Sequence, residues 1–177
     1  NTNRYFNSYG KADATRDFIT TQSVKKLKAH LKKWALAPEG WRLSGSDGRT
    51  TYNVNELDEA ECLDRIYYKS RWIKEKVEVT IDGQSRKVEL EQQLIVTYSI
   101  KYRNYLRSIR NRQVERARKA MAAGAKAVER KRQNDPKRFI KVNHATKDGD
   151  VAEQAACYID EDAIAKEEQY DGFYAVC

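Results

Sequence analysis

The chain has 177 residues, of which 40% are hydrophobic and 34% are charged. That length fits one domain, or one core with an insertion. It contains no run of about 18 apolar residues, which excludes a membrane-spanning helix. With only 8 Gly and 2 Pro, it is neither collagen-like nor a Pro/Gly-rich disordered segment. Its three Trp, eleven Tyr and four Phe indicate that a modest core can form.

The net charge of +8 is unevenly distributed along the chain. Residues 1–100 have a net charge of +3 and residues 142–177 a net charge of −7. Between them, residues 101–141 carry 15 basic and 3 acidic side chains, a net charge of +12. So basic a block indicates a polyanionic partner, most simply nucleic acid, although charge alone leaves a solvated helix face as the alternative.

The three cysteines, Cys62, Cys157 and Cys177, lack the spacing of a metal site and cannot all pair with one another. We therefore expect a reduced, cytosolic chain without a signal peptide. There is no initiator Met, and the sequence stops directly after the apolar run 173–176. Strands are usually followed by a turn or polar loop, so we expect an excerpt of a longer protein.

The first predicted elements are a β-rich run at 17–24 and a helix that starts near Val24, with Ser23 as its cap. Pro38 and Gly40 end this helix. Five lysines surround its apolar residues, which recur at helical spacing: Leu27, Leu31, Trp34 and Ala35.

The clearest local pattern is a pair of alternating runs that predicts a β-hairpin. Apolar and polar residues alternate over 73–81 and again over 88–100, and Asp82-Gly83 between them is a strong hairpin signal. Period-2 alternation is typical of an antiparallel sheet with one solvated face. Residues 49–55 are predicted to add a third strand.

A long basic helix is predicted over residues 101–132. Its thin apolar stripe has basic side chains on both flanks, and Tyr98, Tyr102 and Tyr105 lie close by in sequence. Arg and Lys neutralise phosphates and aromatic rings stack on unpaired bases, although core packing also explains the tyrosines. The candidate DNA-contacting residues are Lys101, Arg103, Arg107, Arg110, Arg112, Arg116, Arg118 and Lys119.

The last part of the chain is predicted to contain a short strand at 138–142, a turn at 147–150, a helix at 159–169 and a terminal strand at 173–176. Four acidic residues in this region are candidate ligands of a two-metal site: Asp160, Glu161, Asp162 and Asp171. Three of the four are consecutive, which favours a helix N-terminus over a converging metal site. His30 and His144 stand alone and are interpreted as surface or structural residues.

Several stretches resemble the DDE transposases of bacterial insertion sequences, in the branch with a β-rich insertion between the second catalytic Asp and the catalytic Glu. The best is Tyr158-Ile-Asp-Glu-Asp162 continuing to Tyr170-Asp-Gly-Phe-Tyr-Ala-Val-Cys177. The others are 18–27, 34–41, 94–103 and 110–116. Together they span nearly the whole chain, but none is a catalytic signature, so their order and spacing carry the resemblance.

This resemblance implies an α/β fold: a partial ribonuclease-H-like core interrupted by an antiparallel β-hairpin and a long helix. Residues 1–41 would be part of the core, 42–150 the β-rich insertion with the long basic helix, and 151–177 the return to the core. The whole enzyme would cut and join DNA with Mg²⁺ held by three carboxylates. All three are expected outside this chain, so it carries no catalytic residue and no metal ligand of its own.

The expected partners are DNA and the remainder of the transposase chain, with a homodimer of the full enzyme left open, no membrane, and the bacterial cytoplasm as location. Two other functions stay open. One is a stand-alone nucleic-acid-binding module without catalysis, which requires a complete fold. The other is a structural protein whose long helix pairs with another chain, which requires sustained apolar heptads.

Overall fold

The computed structural model describes residues 19–81, 84–124, 135–145 and 151–177. They form a mixed α/β fold with an antiparallel sheet. The strands are β1 (Thr21–Gln22), β2 (Arg42–Leu43), β3 (Tyr67–Ile81), β4 (Gln84–Tyr98), β5 (Ile140–Ala145), β6 (Val151–Ile159) and β7 (Phe173–Val176). The helices are α1 (Ala29–Leu36), α2 (Glu59–Cys62), α3 (Ile100–Ala122) and α4 (Glu161–Glu168).

The described residues divide into two compact units. The first runs up to Arg103 and includes Gly172–Cys177, and the second comprises Asn104–Asp171. The boundaries predicted at 41/42 and 150/151 are not those of the compact units, and the assignment of segments to a core and an insertion stays a prediction.

The predicted hairpin is confirmed. Strands β3 and β4 pair antiparallel from Tyr67↔Tyr98 to Ile81↔Gln84, a register that leaves a two-residue connection. That connection is Asp82-Gly83, which lies outside the described residues. Strand β3 starts before its predicted run, at Tyr67, and β4 starts before its own, at Gln84. In the added part of β4, pairing continues through the charged position Glu78↔Lys87, where opposite charges face each other.

The sheet of the first unit has the strand order β1-β7-β4-β3-β2. The terminal strand β7 is therefore confirmed, and it pairs antiparallel with both β4 and β1. Of the β-rich run predicted at 17–24, the structure describes residues 19–24, and within them only Thr21–Gln22 forms a strand. The third strand predicted at 49–55 is wrong, because that segment makes only an isolated bridge between Trp41 and Tyr52.

A cluster of aromatic rings fills the core of the first unit. Trp41 and Tyr67 are fully buried and Tyr98 is 5% exposed. The rings of Trp41 and Phe173 lie 5.7 Å apart, and those of Tyr98 and Phe173 lie 5.0 Å apart, both tilted. Such tilted pairs stabilise a core beyond the apolar area that they bury.

The C-terminal end of α1 is capped by a buried lysine. Lys69 Nζ donates hydrogen bonds to the carbonyl oxygens of Trp34 (2.8 Å) and Ala37 (2.7 Å), and it lies 4.4 Å from the ring centroid of Trp41. A cation is favourable at the negative end of the helix dipole. Burial opposes the charged form and lowers the pKa of Lys69 to about 8.

The second unit packs its part of α3 against β5, β6 and α4. The buried members of this core are Val114, Ala117, Phe139 and Ile140. Ala120 and Met121 pack against them. The small residues of α3 therefore pack within the same chain.

The remaining predictions for the second unit are largely confirmed. The long helix starts at Ile100, one residue before its predicted start, but it ends at Ala122, and part of the predicted extension to 132 lies outside the described residues. The short strand appears as β5, and the helix predicted at 159–169 appears as α4. Asp160 is its N-cap, since its side chain accepts a hydrogen bond from Ala163 N. The turn at 147–150 lies outside the described residues.

The three cysteines are free, and Cys62 is buried. In the part of the chain that the structure describes, no helix combines the length and the apolar character needed to cross a membrane.

Candidate nucleic-acid interface

The eight basic residues predicted to contact DNA all lie on α3, and the helix directs them to different surroundings. The helical repeat of about 3.6 residues per turn divides them between two opposite sides of the helix. Arg110 is only 4% exposed, whereas Arg112, Arg116 and Lys119 are exposed to solvent. The eight residues therefore do not form one surface.

Arg110 is engaged in a buried ion pair. Its two terminal nitrogens lie 2.8 and 2.7 Å from the two carboxylate oxygens of Asp171, in the bidentate arrangement that Arg forms with carboxylates. Glu168 accepts a further hydrogen bond at 3.1 Å. Hydrogen bonding to Asp171 raises the pKa of Arg110 above its ordinary value. This guanidinium is not available to a phosphate, and we withdraw it from the candidate residues.

Arg107 lies beside the same carboxylate but is loosely held. Its Nε is 3.8 Å from an oxygen of Asp171, and its side chain is 51% exposed. An exposed pair at that distance contributes little to stability. Arg107 therefore remains a candidate for contact with an external anion.

At the start of α3, Lys101 and Arg103 have acidic partners in the first unit. Lys101 donates to Asp64 at 2.9 Å, and this interaction raises the pKa of Lys101. Arg103 pairs with Glu59, and only 15% of its side chain is exposed. Both cations are partly neutralised, which makes them weaker candidates than the prediction assumed.

The exposed side of α3 carries a coherent basic row, which we call the arginine face: Arg112, Arg116 and Lys119. The spacing of four and three residues places them within an arc of about 60° and along about 10 Å of the helix axis. All three are exposed. Arg112 makes one long hydrogen bond, 3.4 Å, to the carbonyl of Ser108. No ion pair to Arg116 or Lys119 is found among the described residues.

Two other side chains border the arginine face. Tyr105 is 57% exposed on the same side of the helix. Arg118 lies further round, and its charge is balanced by Glu115 at 2.7 Å. Of the three tyrosines considered from the sequence, Tyr98 belongs to the core, Tyr102 is half-buried, and Tyr105 is the exposed one.

The acidic residues near the end of the chain are placed as a helix N-terminus and an ion pair. Asp160 caps α4, and Lys141 Nζ lies 3.5 Å from Asp160 and 3.4 Å from Asp162. Asp171 binds Arg110. Within the described ranges, no group of three His, Cys, Asp or Glu side chains could hold a metal ion. His30 is exposed on α1, and the side chain of His144 is not among those described.

Reasoning from the sequence leaves open a competing role for the arginines of α3, in which they pair with the acidic segment 148–171 and hold the fold together. Arg110 has that role, and its spacing along the helix also indicates it. Arg110 precedes Val114 by four residues and Ala117 by seven, the spacing of a single helix face. Since Val114 and Ala117 are buried, that spacing predicts that Arg110 points inward as well. A buried arginine requires a carboxylate, and the acidic segment 160–171 is where the sequence supplies carboxylates.

Comparison of the chain with models of protein families, with curated proteins and with solved structures found no match.

Proposed function

We propose that this chain is part of a DDE-type transposase of a bacterial insertion sequence and that it supplies a DNA-contacting surface and scaffold to that enzyme. The observation that carries the DNA-contacting role is the arginine face of α3. Its three cations are exposed and lie in one row, and no acidic partner for Arg116 or Lys119 is found in the described part of the chain. Duplex DNA carries one negative charge per about 1.7 Å of axis, so a row of about 10 Å faces several phosphates.

The transposase assignment rests on the resemblance of the ordered stretches, in which 158–162 and 170–177 match best. The finer part of the proposal is that β1 and β7 belong to a ribonuclease-H-like core. The two strands are distant in sequence but pair antiparallel within one sheet, which supports their belonging to the same core. In the whole enzyme, Mg²⁺ would activate the attacking group and stabilise the leaving group. Among the described residues, no cluster of side chains could hold that ion, so we assign no catalytic step to them.

The two rival functions differ from this proposal in what they require of α3. A helix-pairing protein needs an apolar seam left open for another chain, whereas Val114 and Ala117 are buried within the same unit. That packing favours the DNA-contacting role over the structural one. A stand-alone nucleic-acid-binding module would use the same arginine face, and it differs in having no catalytic parent chain.

We expect the triple substitution Arg112→Ala, Arg116→Ala and Lys119→Ala to weaken binding to a short DNA duplex by roughly 100-fold at 0.15 M salt, because three phosphates are no longer neutralised. The slope of log affinity against log salt should become shallower by about 2.7, or about 0.9 per phosphate. Sequence preference should hardly change, since phosphate contacts carry little sequence information. Fluorescence anisotropy over a salt series measures all three quantities.

A matched control removes the same charge from elsewhere: Lys76→Ala, Lys87→Ala and Lys166→Ala, all exposed in the wild-type chain. Each triple variant lowers the net charge by three, so a purely global electrostatic effect weakens both alike. Equal affinities and equal salt slopes for the two variants would contradict a specific role for the arginine face.

We also expect the isolated chain to show no nuclease or strand-transfer activity with Mg²⁺ or Mn²⁺, because the resemblance places all three catalytic carboxylates outside it. Incubation of the purified chain with supercoiled plasmid and either ion tests this. The control is the Asp171→Asn variant, shown to be folded by circular dichroism. If the wild-type chain cleaves DNA in a metal-dependent way and this variant does not, the alignment on which the proposal rests is wrong.

A further inference from the structure

A second concentration of positive charge lies in the first unit, on the segment from Ser23 to Pro38. This segment contains five lysines and one histidine and no Asp or Glu. It comprises a short 3₁₀ turn, Val24–Lys26, and the helix α1. The predicted DNA-contacting residues of α3 include none of these lysines.

A buried apolar stripe fixes the direction of the lysines. Val24, Leu27, Leu31 and Ala35 are each at most 7% exposed and follow one another at spacings of three and four residues. Because these residues pack into the unit, charged side chains between them are left at the surface: Lys26 in the 3₁₀ turn is exposed. On α1, His30 and Lys33 are exposed and Lys32 is half-buried.

Neutralising partners are scarce on this surface. Lys28 pairs with Glu75 at 3.1 Å. For Lys26, Lys32 and Lys33, no ion pair is found within the described ranges. At the far end of α1, Lys69 covers the carbonyl groups that would otherwise present negative partial charge.

The contrast with the hairpin argues against a merely solubilising role. On β3 and β4, Lys76 faces Glu89 and Lys87 faces Glu78 across the strands, the interspersed pattern that keeps a surface soluble without creating a field. The segment from Ser23 to Pro38 has one sign only. A field of one sign attracts a polyanion.

We propose that the surface formed by Lys26, Lys32 and Lys33 is a second DNA-binding site that contacts the phosphates of a duplex. We call it the lysine face. Lysine binds phosphate as a flexible point charge, so this contact adds affinity without reading bases. The proposal shares its ligand with the proposed function but does not depend on the arginine face, because it rests on different residues in the other unit.

An anionic membrane is the competing ligand, and the burial of the apolar stripe argues against it. Helices that bind a membrane surface insert exposed apolar side chains beside their cations. Here the apolar stripe, Val24, Leu27, Leu31 and Ala35, is buried in the core of the unit, and Trp34 and Leu36 are half-buried. Charge without an insertable apolar side fits a phosphate backbone better than a lipid surface.

The test uses the full chain and the triple variant Lys26→Gln, Lys32→Gln and Lys33→Gln, in which glutamine keeps part of each side-chain stem. The matched control is Lys76→Gln, Lys87→Gln and Lys166→Gln. Binding to a duplex of arbitrary sequence, about 20 base pairs long, is measured over a salt series. We expect the lysine-face variant to lose roughly 100-fold in affinity at 0.15 M salt and about 2.7 in salt slope, because three phosphates are no longer neutralised. Replacement of the same three residues by Arg should restore both quantities.

The outcomes separate the two surfaces and the two ligands. A lysine-face variant that binds DNA with the affinity and slope of its control overturns this inference, whatever the arginine-face variant does. If only the arginine-face variant matches its control, the role of α3 fails and the lysine face stands. Loss of binding to vesicles containing phosphatidylserine, with DNA affinity unchanged from the control, would assign the lysine face to a membrane and overturn the DNA proposal.

Discussion

Replacement of Arg110 by Ala is expected to destabilise the second unit by about 3–5 kcal/mol, the loss typical of a buried ion pair from which one partner is removed. The carboxylate of Asp171 is 6% exposed and would lose both of its short hydrogen bonds to the guanidinium. A buried carboxylate left without its donors costs its full desolvation penalty. Urea denaturation followed by far-UV circular dichroism measures the change in free energy of unfolding.

The matched comparison is Arg107→Ala, which removes the same charge from the preceding turn of α3. Arg107 is half-exposed and lies 3.8 Å from Asp171, so its loss should cost less than about 1 kcal/mol. The paired replacement Arg110→Met with Asp171→Leu should recover most of the stability, because neither charge is then left buried alone. If Arg110→Ala unfolds at the wild-type urea concentration but binds DNA much more weakly, the ion pair is unimportant and Arg110 is a DNA contact after all.

The elements that could be predicted from the sequence are those encoded by local signals. Alternating residues on both sides of Asp82-Gly83 predict the hairpin, because each residue's side follows from the period of two. Asp160 near the start of the predicted helix 159–169, where an acidic residue suits the helix dipole, indicates α4. In both cases the structure follows the pattern, and it differs mainly in the exact ends of the elements.

The elements that could not be predicted depend on pairing between residues distant in sequence. The segment 49–55 looks like a strand, but β3 pairs at its outer edge with β2 instead, so only Tyr52 is bridged. The amino-acid composition of β6 does not by itself indicate a strand, so the sequence does not predict it. These residues form a strand because they pair with β5. Tertiary pairing decided both outcomes.

In the candidate site, too, local sequence signals predict one part and contacts between distant residues decide the other. Net charge identified α3 as the basic element, and this required no knowledge of the fold. Which cations face outward depends on the packing of α3, which turns Arg110 towards Asp171 and leaves Arg116 and Lys119 exposed. The lysine face was visible in the sequence as lysines around an apolar stripe, but the scarcity of partners became apparent only from the structure.

The Asp-Gly pair within the best-matching stretch, Asp171-Gly172, has a separate structural role at each position. Asp171 balances Arg110 in the second unit. Gly172, in the first unit, adopts φ = +85° and accepts a hydrogen bond from Ser99 N through its carbonyl oxygen. Residues with side chains rarely adopt such a φ. Both positions are thus constrained by folding.

Gly172→Ala is therefore expected to destabilise the first unit by about 2–5 kcal/mol, from the positive φ together with overpacking. A Cβ at this position would lie 2.7 Å from Cε2 of Tyr98 and 3.0 Å from the carbonyl oxygen of Ser99. The Tyr98 ring cannot easily move away, because it is buried and packs against Trp41 and Phe173. Thermal denaturation monitored by tryptophan fluorescence reports this change, since Trp41 belongs to the same cluster.

Gly45→Ala is the control that isolates the crowding. Gly45 has nearly the same φ, +81°, but no atom lies within 4 Å of the position of an added Cβ. Its substitution should cost only the backbone strain, about 1–2 kcal/mol. The additional loss of stability at Gly172 then measures the cost of crowding between the added Cβ and the Tyr98 ring, directly before β7. Equal losses at the two glycines would mean that the aromatic cluster yields to the extra methyl group, and that Gly172 is required only for its backbone conformation.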